Sequence, residues 1–323
     1  LRPARYSITN DGFVIMGSET GVVDLEEERV IEKGRLGPGQ MLAVDFHQNR
    51  ILRNWEVKSE AAQRHDYKNL LSNRTIKIEN NEWVKDCKLK DLELLQQQTA
   101  YGFSAEDNDL ILDSMASLAK EPTYCMGDDI PLAVLSSKPH ILYDYFKQRF
   151  AQVTNPPIDP LREKLVMSLE MHLGERCTPF EIKDAKPFVH LQSPILNEVE
   201  LISIKKSKIK SQTISSLFDL EEGIEGLENQ LKAICKQSEL SIKEGCSLII
   251  ISDKGINPKK TFIPPLLAVG AIHHYLLKKE IRLKASLIIE TGQCWSTHHL
   301  ACLIGYGASA VCPWLTFEAG RHW

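Results

Sequence analysis

The chain contains 323 residues, of which 43% are hydrophobic and 25% are charged, and its net charge is −4. These values are typical of a globular protein with enough residues for about two domains. The acidic balance argues against nucleic acid as the main partner. The longest apolar stretch, residues 262–277, contains prolines and histidines, so it does not predict a membrane span, and the first residues lack the apolar core of a signal peptide.

The first predicted elements form an antiparallel meander. Residues 5–9 lead into Asn10-Asp11-Gly12, a strong hairpin turn, and the strand pattern restarts at residues 13–16. Further short strands are predicted at residues 41–45 and 50–52. Because so few short strands cannot bury both faces of a sheet, we expect this region to be the edge of a larger domain.

A polar, charged stretch over residues 56–90 is predicted to be a connector. Beyond it the apolar spacing predicts helices, and Ser104 and Asp107 have the spacing of a helix N-cap and the third residue of its helix. The predicted helices cover residues 92–100, 105–119, 141–148 and 161–173.

The last part of the chain alternates strand and helix patterns, which gives the order βαβαβ. This order predicts parallel pairing with right-handed crossovers, and a continuous apolar strand is typical of a sheet covered on both faces. We therefore predict an α/β fold, with an antiparallel β region followed by a domain of parallel βαβ units. The predicted segments are a strand at 247–252, a helix at 265–278, a strand at 284–289, a helix at 297–304 and a strand at 308–312.

Glu290-Thr291-Gly292 follows one of these strands at its carboxyl end, where α/β proteins place their sites. Glu290 is therefore a candidate base or ligand anchor. The alternative, which we favour, is a strand-end carboxylate that caps the next helix or forms a local ion pair.

Two histidine pairs, His273-His274 and His298-His299, lie on predicted helices. Neighbouring residues on a helix point about 100° apart, so neither pair chelates one metal from one face. We expect one member of each pair to face the core or a carbonyl group. Gly305 and Gly307 follow a predicted helix and precede a predicted strand. A dinucleotide fingerprint needs a strand followed by a helix, so a helix C-cap and a tight turn are favoured here.

The remaining polar candidates favour structural roles. Asp128 and Asp129 fit a turn or a helix cap better than a catalytic carboxylate pair. Asp159 and Arg162 flank a proline-rich loop, and a structural bridge is favoured over a substrate clamp. A basic cluster is expected to be solvated, with a docking patch as the alternative; it comprises Lys205, Lys206, Lys208 and Lys210.

Eight cysteines are present, and none belongs to a C-x-x-C pair. This spacing matches neither zinc-finger nor iron–sulfur patterns. Cys302 and Cys312 have apolar neighbours, which predicts buried thiols. The cysteine pattern favours a reducing compartment.

The proline-rich loop is the most specific feature of the sequence. Pro156, Pro157 and Pro160 fix the backbone and push their preceding residues towards extended conformations. Thr154 and Asn155 carry short side chains at this stiff point. Two interpretations of Thr154 and Asn155 remain open from the residues alone: they line a passage, or they belong to a buried turn that locks two domains together.

Residues 150–163, followed by Val166-Met167-Ser168-Leu169, resemble the central domain of glutamate synthase. The resemblance extends over nearly the whole chain and is weakest over residues 183–245 and at the last few residues. Leu1-Arg2-Pro3-Ala4-Arg5-Tyr6 resembles the late part of the family's glutamine amidotransferase domain. Other matching segments are residues 121–129, Tyr143-Asp144-Tyr145-Phe146, Glu290-Thr291-Gly292, His298-His299 and residues 303–308.

The resemblance implies an internal fragment of a larger enzyme. Residues 1–75 would be the C-terminal part of a class II, N-terminal-nucleophile amidotransferase domain plus a connector, and residues 76–323 the central domain. The family's nucleophilic cysteine, FMN and 3Fe-4S cluster would lie outside this chain, so we expect no catalytic, cofactor-binding or metal-binding residue here and no activity from the fragment alone. Thr154 and Asn155 would lie at the entrance of the family's ammonia channel.

The similarity also indicates the electron donor. Residues 120–125 and 170–174 are closer to the ferredoxin-dependent form than to the NADPH-dependent bacterial form, and the lysine- and isoleucine-rich composition fits a plastid genome. The implied partners are the remaining amidotransferase, FMN and C-terminal domains of the same polypeptide, and ferredoxin. The implied location is the plastid stroma, with a bacterial or cyanobacterial cytoplasm as the alternative. Competing hypotheses are a non-catalytic scaffold or binding module, an NADPH-dependent glutamate synthase segment, and an independent α/β enzyme using Glu290 and a histidine.

Overall fold

A computed structural model of the protein describes residues 4–78, 83–123, 137, 140–147, 158–178 and 186–323. The chain divides into two compact units, residues 1–72 and 73–323. Antiparallel sheets and a four-stranded parallel sheet are both present, so the predicted α/β class is confirmed. No helix among the described residues is long and apolar enough to cross a membrane.

The first unit is built from short antiparallel strands. The hairpin predicted at Asn10-Asp11-Gly12 is confirmed, and Gly12 adopts a φ of +90°, which the turn requires. The strand Ala4–Thr9 lies at the centre of this sheet. It also pairs with the strand Val30–Leu36, which the sequence did not predict. The elements are β1 (Ala4–Thr9), β2 (Val14–Gly17), β3 (Val30–Leu36), β4 (Ala43–Asp45), β5 (Arg50–Leu52), α1 (Asn54–Gln63) and α2 (Tyr67–Arg74).

The second unit contains the parallel sheet and most of the helices. Its first elements are β6 (Thr75–Lys77), α3 (Asp91–Tyr101), α4 (Asp113–Leu118), α5 (Pro160–Val166), β7 (Met171–Leu173), β8 (Phe188–Leu191) and α6 (Glu198–Lys205). Its later elements are β9 (Ser211–Ser215), β10 (Leu217–Asp219), α7 (Gly223–Lys243), β11 (Leu248–Ser252), β12 (Lys260–Phe262), α8 (Pro265–Lys278), β13 (Ser286–Glu290), α9 (Thr297–Gly305), β14 (Ala310–Cys312) and α10 (Trp314–His322).

The parallel sheet has the strand order β14-β13-β11-β9. All residues of β11 and β13 are buried, because both faces of the sheet are covered. Ile249 and Leu287 point into a core shared with α7 and α8, whereas Ile250 and Ile288 point into a second core beneath α6 and β8. The predicted βαβαβ order is confirmed, and β9 adds a fourth parallel strand that the sequence did not predict.

Three predicted elements are corrected. The connector over residues 56–90 contains most of α1, all of α2, and β6. The helix predicted at 141–148 is a single 3-10 turn, Leu142–Tyr145, among the described residues. The helix predicted at 161–173 ends at Val166, and residues 171–173 pair with β8 as β7 instead, because strand pairing outweighs the helical spacing of the leucines there.

The helix predicted at 105–119 is confirmed in part. Ser104 and Asp107 form the expected reciprocal capping bonds at its start. Asp107 N–H donates to Ser104 Oγ at 3.1 Å, and Ser104 N–H donates to the Asp107 carboxylate at 2.8 Å. Residues 107–112 then form a π-helical turn before α4 begins. The chain leaves α4 at Ala119, whose φ is +51°.

Candidate functional site

A buried polar cluster lies at the carboxyl ends of the parallel strands, and Asp253 is its centre. Asp253 directly follows β11 and is 2% exposed. Its carboxylate accepts hydrogen bonds from the Thr291 hydroxyl, from Gly292 N–H at 3.0 Å and from Trp314 Nε1–H at 3.3 Å. Tyr101 donates its hydroxyl proton to the main-chain oxygen of Asp253 at 2.7 Å. Asp253 therefore ties the loop after β13 to α3 and α10.

Burial raises the pKa of Asp253 to about 6. The hydrogen bonds from Thr291, Gly292, Trp314 and Tyr101 oppose this rise because they stabilise the charged form. Burial also raises the pKa of Tyr101, with the Asp253 charge adding to the effect. The tyrosine hydroxyl is therefore a proton donor that stays neutral.

Tyr101 fills the space above the strand ends. A Cβ atom at Gly292 would lie 2.7 Å from the Tyr101 ring, so glycine is needed there for the close approach. The ring is also 4.7 Å from the Phe262 ring and 5.8 Å from the Trp314 ring, centroid to centroid. α/β proteins bind ligands at this edge of the sheet, and here the protein's own side chains occupy it.

Glu290 lies beside this cluster in a different electrostatic setting. It is 7% exposed, and its carboxylate is 2.9 Å from Lys254 Nζ and 3.6 Å from Lys205 Nζ. Burial acts to raise the pKa of Glu290, but the charges and hydrogen bonds of the lysines and Ser252 lower it overall. The predicted local ion pair is confirmed.

The other half of that prediction, a helix cap by Glu290, is wrong. The N-cap of α9 is Ser296, whose hydroxyl accepts from His299 N–H at 3.2 Å. The carboxylate of Glu290 is already engaged by the two lysines, and a carboxylate held charged by two cations is a weak general base. Its location alone therefore does not support a catalytic role.

The prediction that one histidine of a pair faces the core or a carbonyl group is confirmed for His298-His299. His298 Nε2–H donates to the main-chain oxygen of Tyr143 at 3.0 Å, and the buried ring of His299 stacks on the Tyr143 ring at 4.3 Å. His273 Nδ1 accepts from Arg282 Nε–H at 3.0 Å. Among the described residues, no group of three or more His, Cys, Asp and Glu side chains could hold a metal ion.

The predicted roles of the glycines are confirmed. α9 ends at Gly305, and Ala308 N–H donates back to the Leu303 carbonyl oxygen at 2.9 Å. Gly307 has a φ of +118°, and a Cβ atom there would collide with the His273 ring. These features form a helix C-cap and a tight turn.

Other predicted residues have structural roles. Asp159 is the N-cap of α5, and its side chain accepts hydrogen bonds from the backbone N–H groups of Leu161 and Arg162. Its hydrogen bond to Arg162 is therefore made to the backbone, whereas the prediction was a structural bridge between the two residues. Lys210 Nζ donates to the Glu244 carbonyl oxygen at 2.8 Å. Thr154, Asn155, Asp128 and Asp129 lie outside the described residues.

Burial raises the pKa of the Cys312 thiol and, more weakly, that of the Cys302 thiol. Cys312 is fully buried, whereas Cys302 is only half-buried with its Sγ 3.8 Å from the His298 ring. The prediction of a buried thiol is therefore confirmed for Cys312 and holds in part for Cys302. Both are neutral thiols that fill space in the core.

A separate apolar groove lies between α3, α9 and α10. Its volume is about 540 Å³, and its walls include Leu94, Met115, Trp295 and Phe317. Gln98 lies in its wall, but the side-chain amide of Gln98 donates to Asn108 Oδ1 at 3.0 Å. The groove is thus mainly an apolar surface.

Sequence reasoning missed Asp253, Tyr101 and Tyr143. The argument that selected Glu290, a carboxylate just beyond a predicted strand, applies equally to Asp253 after residues 247–252. Tyr143 belongs to a segment that resembles the family, but no local pattern indicates the roles of Tyr101 and Tyr143, because these roles arise from contacts with residues more than a hundred positions away.

The fold and the filled sheet edge define an α/β domain whose usual ligand position is closed by its own side chains. The sequence matches the family model of the glutamate synthase central domain over residues 96–322, and that of class II glutamine amidotransferases over residues 1–70. The chain belongs to the glutamate synthase central domain family.

Curated relatives agree with this assignment. The chain is 50% identical to ferredoxin-dependent glutamate synthase 2 of Synechocystis sp. and 50% identical to ferredoxin-dependent glutamate synthase of Pyropia yezoensis, over 100% of this chain and 21% of each relative. It is 48% identical to the chloroplastic ferredoxin-dependent glutamate synthase of Oryza sativa subsp. japonica, over 100% of this chain and 20% of that relative. The chain therefore spans about a fifth of the length of these relatives.

The closed sheet edge around Asp253 does not fit the flavin or the iron–sulfur cluster that the resemblance implies. A flavin phosphate needs free N–H donors at the strand ends, and here Gly292 N–H and the Thr291 hydroxyl are used by Asp253. Cluster ligands are thiolates, and burial raises the pKa of the Cys294 and Cys312 thiols.

Proposed function

We propose that this chain is a segment of a ferredoxin-dependent glutamate synthase that links the glutaminase and flavin sites and helps to form the ammonia channel. In this proposal, residues 1–75 are the end of the glutamine amidotransferase domain with its connector, and residues 76–323 are the central domain. The observation that carries the proposal is similarity over the whole chain, at 50% identity to two ferredoxin-dependent enzymes.

The filled sheet edge supports a connecting role rather than a catalytic one. Asp253 uses the donors that would otherwise face a ligand, and Tyr101 occupies the space above Gly292. The nearest candidate base, Glu290, is held between Lys254 and Lys205. These contacts favour a rigid spacer over an independent enzyme, and we propose that the chain alone is inactive.

The proposed reaction proceeds in two parts on the complete polypeptide. Glutamine and water give glutamate and ammonia at the amidotransferase site. Ammonia and 2-oxoglutarate then give a second glutamate and water, with two electrons and two protons supplied at the flavin site. Because the two sites are separate, the intervening domain must carry ammonia between them without loss to solvent. FMN and a 3Fe-4S cluster would be bound by parts of the polypeptide other than these residues.

Thr154 and Asn155 are the proposed residues at the channel entrance. Both carry short polar side chains beside Pro156 and Pro157, which restrict the backbone. A small polar side chain at a stiff turn can offer hydrogen bonds to ammonia while leaving room for it to pass. The proposed partners are ferredoxin and the remaining domains of the same polypeptide.

The proposed location is the plastid stroma. Relatives from Oryza sativa and Arabidopsis thaliana carry the word chloroplastic in their names. A relative from Synechocystis sp. makes a cyanobacterial cytoplasm the alternative location. Fractionation of the source cells, followed by immunoblotting for residues 158–178, would distinguish the two.

The first test is the mass of the native polypeptide that contains this sequence. Immunoblotting and mass spectrometry of the source cells should find a species several-fold heavier than 36.6 kDa, with a processed N-terminal cysteine. A native species of 36.6 kDa beginning at Leu1 would contradict the proposal, and the non-catalytic scaffold would then take its place.

The second test addresses the channel. In the complete enzyme, Asn155→Ala should raise the ratio of glutamine hydrolysed to 2-oxoglutarate consumed, because ammonia escapes before it reaches the flavin site. Asn229→Ala is the matched control, since Asn229 is exposed on α7. An unchanged ratio in Asn155→Ala would contradict the proposed role of Asn155 at the channel entrance.

The electron donor is tested separately. Activity of the complete enzyme with NADPH in place of ferredoxin would contradict the proposed donor.

A further inference from the structure

A cross-strand pair of histidines lies in the three-stranded sheet of the second unit. This sheet has the order β6-β8-β7, so β7 is an edge strand. β7 has three residues, and its central residue, His172, lies opposite His190 of β8 in the antiparallel register. The two imidazole rings are stacked, with 5.1 Å between their centroids and 28° between their planes. Two titratable groups therefore face each other in the pairing of a very short edge strand.

One carboxylate compensates charge at this pair. Glu170 lies just before β7, and its Oε2 atom is 3.4 Å from His190 Nε2. Other charged groups lie on these three strands or next to them, and they comprise Arg176, Lys77, and the ion-paired Glu175 and Lys186. Glu170 can balance one protonated histidine. A second protonated histidine would add uncompensated positive charge directly across the strand pair, which destabilises such a pair.

The surroundings of His172 favour its neutral form. Partial burial lowers the pKa of His172, and the charges of His190 and Arg176 lower it further, whereas Glu170 acts in the opposite direction. The Phe188 ring also packs edge-on against the His172 ring at 5.0 Å. In a released strand the pKa would return towards its ordinary value of about 6.5. The released form thus binds more protons, so the pairing is fully present above that pH and weakens as pH falls below it.

The chain is held more firmly after β7 than before it. After β7, Gly174 N–H donates to Ser286 Oγ at 2.9 Å, which ties the chain to the start of β13. Before β7, α5 leaves the side chains of Leu161 and Leu165 exposed, at 92% and 80%. Leu173 is fully buried and opposes release of the strand. A release of β7 would therefore begin on the side of α5 and stop at Gly174.

We propose that the pairing of β7 with β8 is a pH-sensitive contact, in which protonation of His172 and His190 releases β7 from the edge of its sheet. The parallel sheet does not share this response, because its four strands contain no histidine. Acidification therefore loosens one edge of the domain and leaves the main core folded. The inference does not depend on the proposed function, since it concerns only contacts within residues 73–323.

The experiment is hydrogen–deuterium exchange of the protein at about pH 7.5 and about pH 5.5, on either side of the ordinary histidine pKa. Exchange is read by mass spectrometry of peptic peptides and expressed as protection factors, which correct for the intrinsic effect of pH on exchange. The peptide that contains residues 171–173 should lose protection at least about threefold at the lower pH, a size typical of one cross-strand pair. The peptide that contains β11 reports unfolding of the whole domain and should keep its protection.

Substitutions at the pair assign the effect to the histidines. His172→Phe and His190→Phe each keep an aromatic ring in the stack and remove one titrating group, so each should abolish most of the loss of protection. Glu170→Gln should enlarge the loss, because the compensating carboxylate is removed. His274→Phe is the matched control, since His274 is exposed on α8 and its ring lies 5.3 Å from that of His273. If a phenylalanine variant does not fold, the glutamine variant at the same position takes its place.

Three results would overturn the proposal. The first is unchanged protection of residues 171–173 between the two pH values in the wild type. The second is an equal loss at β11, because general unfolding would then be sufficient. The third is a wild-type loss that persists in the variants of both His172 and His190, since other groups would then cause it. A loss confined to residues 171–173, absent from these variants and present in His274→Phe, is the expected result.

Discussion

The parallel sheet of residues 73–323 and the antiparallel sheets of residues 1–72 bury their side chains to very different extents. Every residue of β11 and β13 is buried. Among the described residues of the first unit, only Ile8 and Thr9 are buried, and Phe46 is 84% exposed. The parallel sheet has helices on both faces, whereas the short antiparallel strands leave most of their described side chains partly or fully exposed. The difference shows which part of this chain carries its own core.

The largest expected effect tests that difference directly. Ile250→Ala should lower the free energy of unfolding by about 4 kcal/mol, because it removes a fully buried side chain and the surrounding core relaxes only partially around the cavity. The measurement is urea unfolding followed by far-ultraviolet circular dichroism. Ile202→Ala on α6 is the control, since Ile202 is 46% exposed and should cost much less. A loss below about 1 kcal/mol for Ile250→Ala would mean that the sheet is less tightly packed than its burial indicates.

The second prediction concerns Asp253. Its usual pKa is 3.8 and burial raises it to about 6, so between these values the folded state retains a proton that the unfolded state loses. The free energy of unfolding should therefore fall as pH rises through this window, by about 3 kcal/mol at 1.36 kcal/mol per pKa unit. The Asp253→Asn variant lacks this titration, so the difference between wild type and variant, measured by urea unfolding from pH 4 to pH 7, isolates it.

Glu290 provides a control of opposite sign. Its pKa is lowered overall in the folded state because the lysine charges outweigh burial, so its contribution is present at neutral pH and is lost as pH falls through the folded-state pKa. The difference between wild type and Glu290→Gln should thus decrease towards low pH. If the Asp253 difference did not change with pH, the carboxylate would be better solvated than its 2% exposure indicates.

The sequence predicted well where local patterns decide the structure. The helix at 265–278 was predicted with its observed limits, Pro265–Lys278, because Pro264 and Pro265 mark its start and its apolar face is continuous. The hairpin at Asn10-Asp11-Gly12 followed from turn chemistry. In the candidate site, the ion pair of Glu290 followed from its strand-end position, and the core role of the His298-His299 pair followed from helix geometry.

The sequence failed where distant contacts decide. β7 continues the helical leucine spacing of α5, yet Met171–Leu173 pairs with β8. β9 is polar, with the sequence Ser-Gln-Thr-Ile-Ser, and becomes a strand because it lies beside β11 at the edge of the sheet. Tyr101 and Tyr143 were missed for the same reason, since the residues that surround them are remote in sequence.

The third prediction tests how tightly the sheet edge is closed. Gly292→Ala places a Cβ atom 2.7 Å from the Tyr101 ring, so it should cost about 2 kcal/mol through overpacking. Tyr101→Leu in the same protein should relieve part of that cost, with a coupling of about 1 kcal/mol in a double-mutant cycle. Gly305→Ala is the control, because no atom lies within 4 Å of the added methyl group. Additive losses for Gly292→Ala and Tyr101→Leu would show that the edge can open without strain.

The smallest expected effect is in the first unit, and it connects the comparison to the proposed function. Ile31 is 67% exposed on β3, so Ile31→Ser should change the stability of this chain by less than about 0.5 kcal/mol, as surface substitutions usually do. If residues 1–75 are the end of a larger amidotransferase domain, the rest of that domain should cover this apolar side chain. The same substitution should then cost about 2 kcal/mol or more in the complete polypeptide. Thermal unfolding of both forms, with and without the substitution, measures the contrast. An equally small loss in the complete polypeptide would mean that Ile31 stays exposed, and that the weak burial of the first unit is a property of the domain itself.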